Sequence, residues 1–141
     1  MAFDWYHYFT LAVDMYDNQK TGCPCKTRAL RAGLPNCDCA IDKCGREAVL
    51  RCAASRAYYA AFGYARAYAT ARGWLPSSTS RDHADLREYL RKHGYKSVAN
   101  HLNSARIMRN TCDYDNADIA SLGSAVGNSL NEARQVFRKL P

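Results

Sequence analysis

The sequence predicts an all-α protein, an up-down helical bundle of about five helices, and three observations carry that expectation. Apolar residues recur at i, i+3, i+4 and i+7 in one segment after another. Almost nothing alternates with the two-residue period of a strand. The longest periodic stretch, 44–72, holds alanine at ten positions, 48, 53, 54, 57, 60, 61, 65, 67, 69 and 71. Alanine is the strongest helix former, and its small side chain lets neighbouring helices approach closely.

The first helix is expected over 4–16, where Trp5, Tyr8, Phe9, Ala12, Val13 and Tyr16 form one apolar stripe. A cysteine-rich loop, 18–43, follows as an insertion. It breaks the helical rhythm with Gly22, Pro24, Gly33 and Pro35. The alanine-rich helix over 44–72 comes next, with Gly73 placed to end it and Pro76 to prevent continuation. "LPSSTS" reads as a loop with Ser78 and Ser80 as N-cap residues. A short helix over 81–93 turns Leu86, Tyr89 and Leu90 inward and ends at Gly94. The next, 97–109, presents Val98, His101, Leu102, Ala105 and Met108 on one broad face. The last, 116–139, begins at Asn116 as cap. It carries Ile119, Leu122, Val126, Leu130, Ala133, Phe137 and Leu140 as its stripe. Gly123 and Gly127 lie four apart on it, so a neighbour is expected to cross there closely. The four longer helices make one layer, with the short one at an end or flank, and residues 1–141 form a single domain.

Composition narrows function. At 48% hydrophobic and 23% charged, the chain is neither disordered nor membrane-like, and no apolar run approaches the ~20 residues of a span. Residues 1–10 lack the basic and apolar regions of a secretion signal, so the expectation is a cytoplasmic protein. A net charge of +7 favours a polyanionic partner such as RNA, with general solubility as the plain alternative. Seven cysteines is an odd number, which argues against a closed disulfide framework.

Five of those cysteines, Cys23, Cys25, Cys37, Cys39 and Cys44, fall within 22 residues as two C-x-C pairs and a fifth thiol. Four thiolates suit a tetrahedral structural zinc site, and a metal can order a polar loop that has little to bury. Free or redox-active thiols are the alternative. Cys52 and Cys112 lie in helical patterns and are expected to pack.

At "RCAASRAYYAAFGYARAYA" the chain resembles the HEPN family of small all-helical domains. The likeness rests on Arg51, on the run Ser55-Arg56-x-Tyr58-Tyr59-Ala60-Ala61-Phe62, and on an Arg-x-x-x-Asp-Tyr element at Arg109 to Tyr114. It spans nearly the whole chain apart from the cysteine loop. It implies a homodimer whose polar elements meet in a cleft, binding RNA or a nucleotide. It also implies work in toxin–antitoxin or antiviral defence systems, beside a neighbouring-gene partner such as a small nucleotidyltransferase antitoxin or defence protein. Many members are metal-independent endoribonucleases whose signature is Arg, a polar residue and a following His. Here Arg109-Asn110 supplies the first half, but Thr111, Cys112, Asp113, Tyr114 and Asp115 fill the window where the His belongs. The resemblance therefore implies an RNA- or nucleotide-binding module that is at most a weak or degenerate nuclease.

The chemistry assigns roles within that frame. Arg109 offers a planar, permanently charged fork to a phosphate, and Asn110 can orient it. Asp113 and Tyr114 are the remaining residues of the catalytic set, though poor substitutes for a histidine in proton transfer. A plainer reading pairs Arg109 with Asp113 at i, i+4 if the helix runs that far. Arg51, Ser55, Arg56, Tyr59 and Arg66 are the candidate binding residues on the alanine-rich helix. There two tyrosines and two arginines either stack bases or pack with their hydroxyls satisfied. His101 lies two turns before Arg109, ~12 Å along the axis, and packs on the face of Ala105 and Met108 unless a dimer brings it across. The alternative to the RNA reading is a non-catalytic interaction module whose zinc-stapled loop docks a partner protein.

Overall fold

A computed structural model describes residues 3–21, 40–114 and 121–141, and the side chains of these apart from 19–21 and 40–46. The described residues are almost entirely helical: α1 (Trp5–Thr21), α2 (Ala40–Thr70), α3 (Asp82–Lys92), α4 (Lys96–Tyr114) and α5 (Leu122–Lys139). They contain no strand, so the all-α expectation holds. None of these helices is long and apolar enough to cross a membrane.

The central element is α2, 31 residues and roughly 46 Å long. It packs against α1, α3, α4 and α5. A helix surrounded by neighbours must be small or apolar on most of its faces. Ala53, Ala54, Ala57, Ala60, Ala61, Ala65 and Ala69 meet that need, all fully buried. Phe9 and Ala12 of α1, Leu86 and Leu90 of α3, Val98 and Leu102 of α4, and Val126, Leu130, Ala133 and Val136 of α5 close the core around them. The short helix α3 packs mainly on α4 and less on α2, the flanking place its length implied.

Helix ends follow local chemistry. Asp4 caps α1, its Oδ1 accepting from the backbone N–H of Tyr6 at 3.0 Å and His7 at 3.1 Å. After α2, Gly73 adopts φ +92°. Trp74 N–H then bonds Ala69 O at 3.0 Å and Gly73 N–H bonds Thr70 O at 3.1 Å, a Schellman turn. Gly94, at φ +88°, closes α3 in the same way, with Tyr95 N–H on Leu90 O at 2.8 Å.

Several expected boundaries and contacts need correction. Helix α1 runs on to Thr21 and α2 begins at Ala40, so both ends of the expected 18–43 loop are helical. The intervening residues, with Cys23, Cys25, Cys37 and Cys39, lie outside the described residues, as does the side chain of Cys44. So do Asn116 and Ile119. Helix α4 continues five residues beyond 109 to Tyr114, because Arg51 binds its terminal carbonyls, as shown below. Cys112 is buried as expected, but Cys52 is exposed. Neither Ser78 nor Ser80 caps α3 by its side chain. The loop before α3 is instead fastened by buried Asp82, whose Oδ1 accepts from Ser77 N–H at 2.7 Å and Ser77 Oγ at 2.6 Å. Its Oδ2 accepts from Ser78 N–H at 3.1 Å, and Ser78 sits at φ +59°. Of the two α5 glycines, Gly127 is the site of close approach, against Tyr16, while Gly123 meets nothing within 4 Å among the described residues.

Candidate functional site

The site forms where α2, α3 and the C-terminal half of α4 meet. Helix α4 brings Arg106, Arg109, Asn110, Asp113 and Tyr114 to it, and Arg106 and Asn110 share a face because they are four residues apart. Helix α2 contributes Arg51, Ser55, Tyr58 and Tyr59. The first turn of α3 contributes His83.

Arg109 is held by nearly every donor it has. Its Nη1 donates to Asn110 Oδ1 at 2.9 Å. Its Nη2 donates to Tyr59 Oη and, at 3.3 Å, to Tyr114 Oη. Its Nε lies 2.8 Å from Asp113 Oδ2. That N–H is not aimed along a hydrogen bond, so the contact is electrostatic. The guanidinium also sits 4.9 Å from the Tyr59 ring centroid and 5.2 Å from that of Tyr114, within the range of cation–π attraction. Ser55 Oγ completes the cluster by donating to Asp113 Oδ2 at 3.3 Å. The i, i+4 pairing of Arg109 with Asp113 is thus present, and it fixes the fork in place.

Arg51 has a different task. Its Nη1 donates to Cys112 O at 3.1 Å and Thr111 O at 3.5 Å, and its Nη2 lies 2.8 Å from Glu47 Oε1. It caps the end of α4, where the helix dipole leaves carbonyls unsatisfied. Arg56 is half-buried and makes no hydrogen bond or ion pair among the described residues. Arg66 stands apart, lining an open cavity of about 560 Å³ with Trp5 and Pro76. A second cavity, about 360 Å³, lies between Tyr6, Tyr64, Phe137, Arg134 and Arg138. Both are larger than the space beside Arg109 but gather fewer convergent polar groups.

The space beside Arg109 is about 170 Å³ and is lined by Tyr58, Ser80, His83, Arg106, Arg109 and Asn110. Three of these, Ser80, His83 and Arg106, were not expected as site residues, and Tyr58 was expected only as a stacking or packed tyrosine. His83 Nδ1 is 2.6 Å from Tyr58 Oη, and its ring lies 4.2 Å, centroid to centroid, from that of Phe62. Burial, then Arg109, Arg87 and Arg106, push the imidazole below its ordinary range, towards the neutral form. Burial pushes the Tyr58 phenol up to about 12, so it keeps its proton and can donate to Nδ1. Arg106 Nη2 donates to Asn103 Oδ1 at 3.4 Å, but its buried Nε has no partner among the described residues. Arg87 Nη1 donates to His83 O at 2.6 Å. Neither Arg87 nor Arg106 pairs with a carboxylate among the described residues. Burial, then the like charge of Arg106, lowers the Arg87 pKa.

Tyr58 and Tyr59 are therefore fastened to His83 and Arg109 and do not form an open stacking surface. His101 proves to be a structural clasp. Its Nδ1 lies 2.6 Å from Glu132 Oε2, and its Nε2 accepts from Lys139 Nζ at 3.1 Å, tying α4 to α5. Among the described residues no group of three or more His, Cys, Asp or Glu side chains is placed to hold a metal.

The only sequence signals for the missed residues were weak. Arg106 precedes Arg109 by three and Asn110 by four, and His83 precedes Arg87 by four, so each set shares a helix face. Nothing in the sequence pairs the two faces. The chain matches no protein-family model, no curated protein and no solved structure.

Proposed function

We propose that the chain is an RNA- or nucleotide-binding module of HEPN-like build, and that the cavity beside Arg109 takes a phosphate group. One observation carries the reading. Arg106 and Arg109 line the same small cavity with Asn110 and His83, and Arg87 stands close enough to act on that histidine. Three guanidiniums crowded together repel one another and are desolvated at a cost. An anion entering between them relieves both penalties, and arginine forks match phosphate oxygens in pairs.

Cleavage is the smaller part of the proposal. Arg109 can stabilise charge on a phosphorane, but its fork is already engaged by Asp113, Asn110 and two tyrosines. No histidine follows it within five residues. Loss of positioned acid–base catalysis typically costs ~10²–10⁴-fold in rate. The module is thus a binder with weak or degenerate metal-independent endoribonuclease activity, acting as a homodimer in a toxin–antitoxin or antiviral setting.

The test is retention of short single-stranded RNA in a gel shift at low salt, with nuclease activity followed in EDTA. The wild-type chain is expected to retain RNA. Arg109→Ala is expected to weaken binding and to flatten the slope of log K against log salt by about 0.7. A chain that neither retains nor cuts RNA at low salt, and binds no nucleotide, sinks the proposal. A partner protein that co-purifies equally well with Arg109→Ala, in that event, moves the function to protein docking.

A further inference from the structure

We propose that the cavity between α2, α3 and α4 is a site for a phosphomonoester dianion, and that His83 takes up a proton as the dianion enters. The inference rests on the reading above, that this cavity holds phosphate, and names which phosphate and how its charge is met.

Size sets the first limit. At about 170 Å³ the cavity has room for roughly five or six waters, at ~30 Å³ each. It is smaller than the ~300–1,000 Å³ of sites that enclose drug-sized ligands. It therefore encloses one phosphoryl head, with the rest of the ligand outside.

Charge sets the second. The groups facing His83 are Tyr58, Tyr59 and Phe62 from α2, Asp82 and Arg87 from α3, and Arg106, Arg109 and Asn110 from α4. Arg87, Arg106 and Arg109 against Asp113, with Asp82 answered by Arg66, leave two net positive charges, the number a phosphomonoester dianion carries in opposite sign. Its entry replaces the like charge around His83 by negative charge and so favours the imidazolium.

Geometry supplies the donors. Nδ1 of His83 is taken by Tyr58, so Nε2 is the ring nitrogen without a hydrogen bond among the described residues. Tyr58 can donate to Nδ1 of the neutral ring or accept from Nδ1–H of the imidazolium, so the pair tolerates both protonation states. Arg106, a residue of the cavity wall, keeps a buried Nε–H that has no acceptor among the described residues.

The experiment titrates the full chain with adenosine 5′-monophosphate, inorganic phosphate and dimethyl phosphate. Calorimetry is run at pH 7 in buffers of differing ionisation enthalpy, with the His83 ring followed by NMR. Both monoesters and inorganic phosphate are expected to bind as dianions and to shift the His83 resonances to those of the imidazolium, with net proton uptake for the monophosphate and less for inorganic phosphate, which is partly monoanionic at pH 7 and gives up that proton on binding. Dimethyl phosphate, a monoanion, is expected to bind about ten-fold more weakly and without proton uptake. Arg106→Gln is expected to lose about ten-fold in affinity. Arg106→Lys, which keeps the charge and the fold, is expected to lose less. His83→Gln is expected to bind without taking up a proton.

Equal affinity for dimethyl phosphate, or binding that leaves the His83 resonances unchanged, overturns the inference. Retention of RNA lost in Arg109→Ala, with no binding of the monophosphates, overturns the inference and leaves the RNA reading standing. Monophosphate binding with proton uptake but no RNA retention overturns the RNA reading alone.

Discussion

Gly63 lies in the C-terminal third of α2, against the indole of Trp5. A Cβ built there would overlap Cδ2, Cε2 and Cε3 of Trp5, around the fused edge of the indole. All three belong to a rigid, fused system, so no bend of a side-chain tip can relieve the overlap. Either Trp5 leaves its rotamer or the start of α1 lifts from α2. Overpacking of this kind costs ~1–3 kcal/mol, and alanine returns ~0.5–1 kcal/mol over glycine within a helix. Gly63→Ala is therefore expected to destabilise by about 0.5–2 kcal/mol. Unfolding entropy of ~2.1 cal/mol/K per residue over 141 residues gives ~0.3 kcal/mol/K, so Tm should fall by about 2–7 °C. Gly127→Ala is the control. Its Cβ would meet the Tyr16 hydroxyl, the far end of a phenol that can swing aside, so Tm should hold within about 2 °C. Gly123→Ala, with nothing within 4 Å, should be neutral or stabilising. Thermal melts of the three variants decide the matter. A Gly63→Ala protein as stable as Gly123→Ala would show that α1 does not dock on α2 as described.

Three further outcomes follow from the site and its supports. Arg51→Met should cost ~1–3 kcal/mol in urea denaturation, because it strips charged donors from the last carbonyls of α4. It should also weaken RNA retention by misplacing Arg109, whereas unchanged stability would exclude the capping role. Glu132→Gln should cost about 1 kcal/mol through the His101 clasp between α4 and α5. It should leave phosphate binding intact, and a loss of binding would place His101 in the site. Stability should also depend on pH through His83. Its pKa is lowered on folding from 6.5, so the unfolded chain binds that proton more tightly. The contribution of the neutral ring is intact above 6.5 and is lost as pH falls below it. Asp82, lowered from 3.8 chiefly by Ser77, keeps its contribution above 3.8 and loses it as pH falls through its folded value. Urea melts from pH 8 to pH 5 should show the His83 loss, and His83→Gln should flatten it.

The sequence made the helices legible because their apolar residues obey a 3.6-residue period, and made two helix ends legible because Gly73 and Gly94 need positive φ. It made the Arg109–Asp113 pair legible because four residues is one helical turn. What it left dark depends on contacts between helices far apart in the chain. The extension of α4 to Tyr114 depends on Arg51, some sixty residues earlier. The role of Gly63 depends on where Trp5 lands. His83 looked like one charged residue among many in "RDHADLREYLRK", and only its position against Tyr58 and Phe62 marks it out. Tyr58 and Tyr59 read as a stackable pair, yet adjacent residues on a helix point about 100° apart, and each found its own partner.

The most direct trial of the shared anion cavity is a crystal soaked in tungstate, a phosphate mimic visible by anomalous scattering. A peak within hydrogen-bond reach of Arg106, Arg109, Asn110 and His83, absent from Arg106→Gln crystals, is the expected result. Strong peaks only at Arg134 and Arg138, or none between α2, α3 and α4, would contradict it.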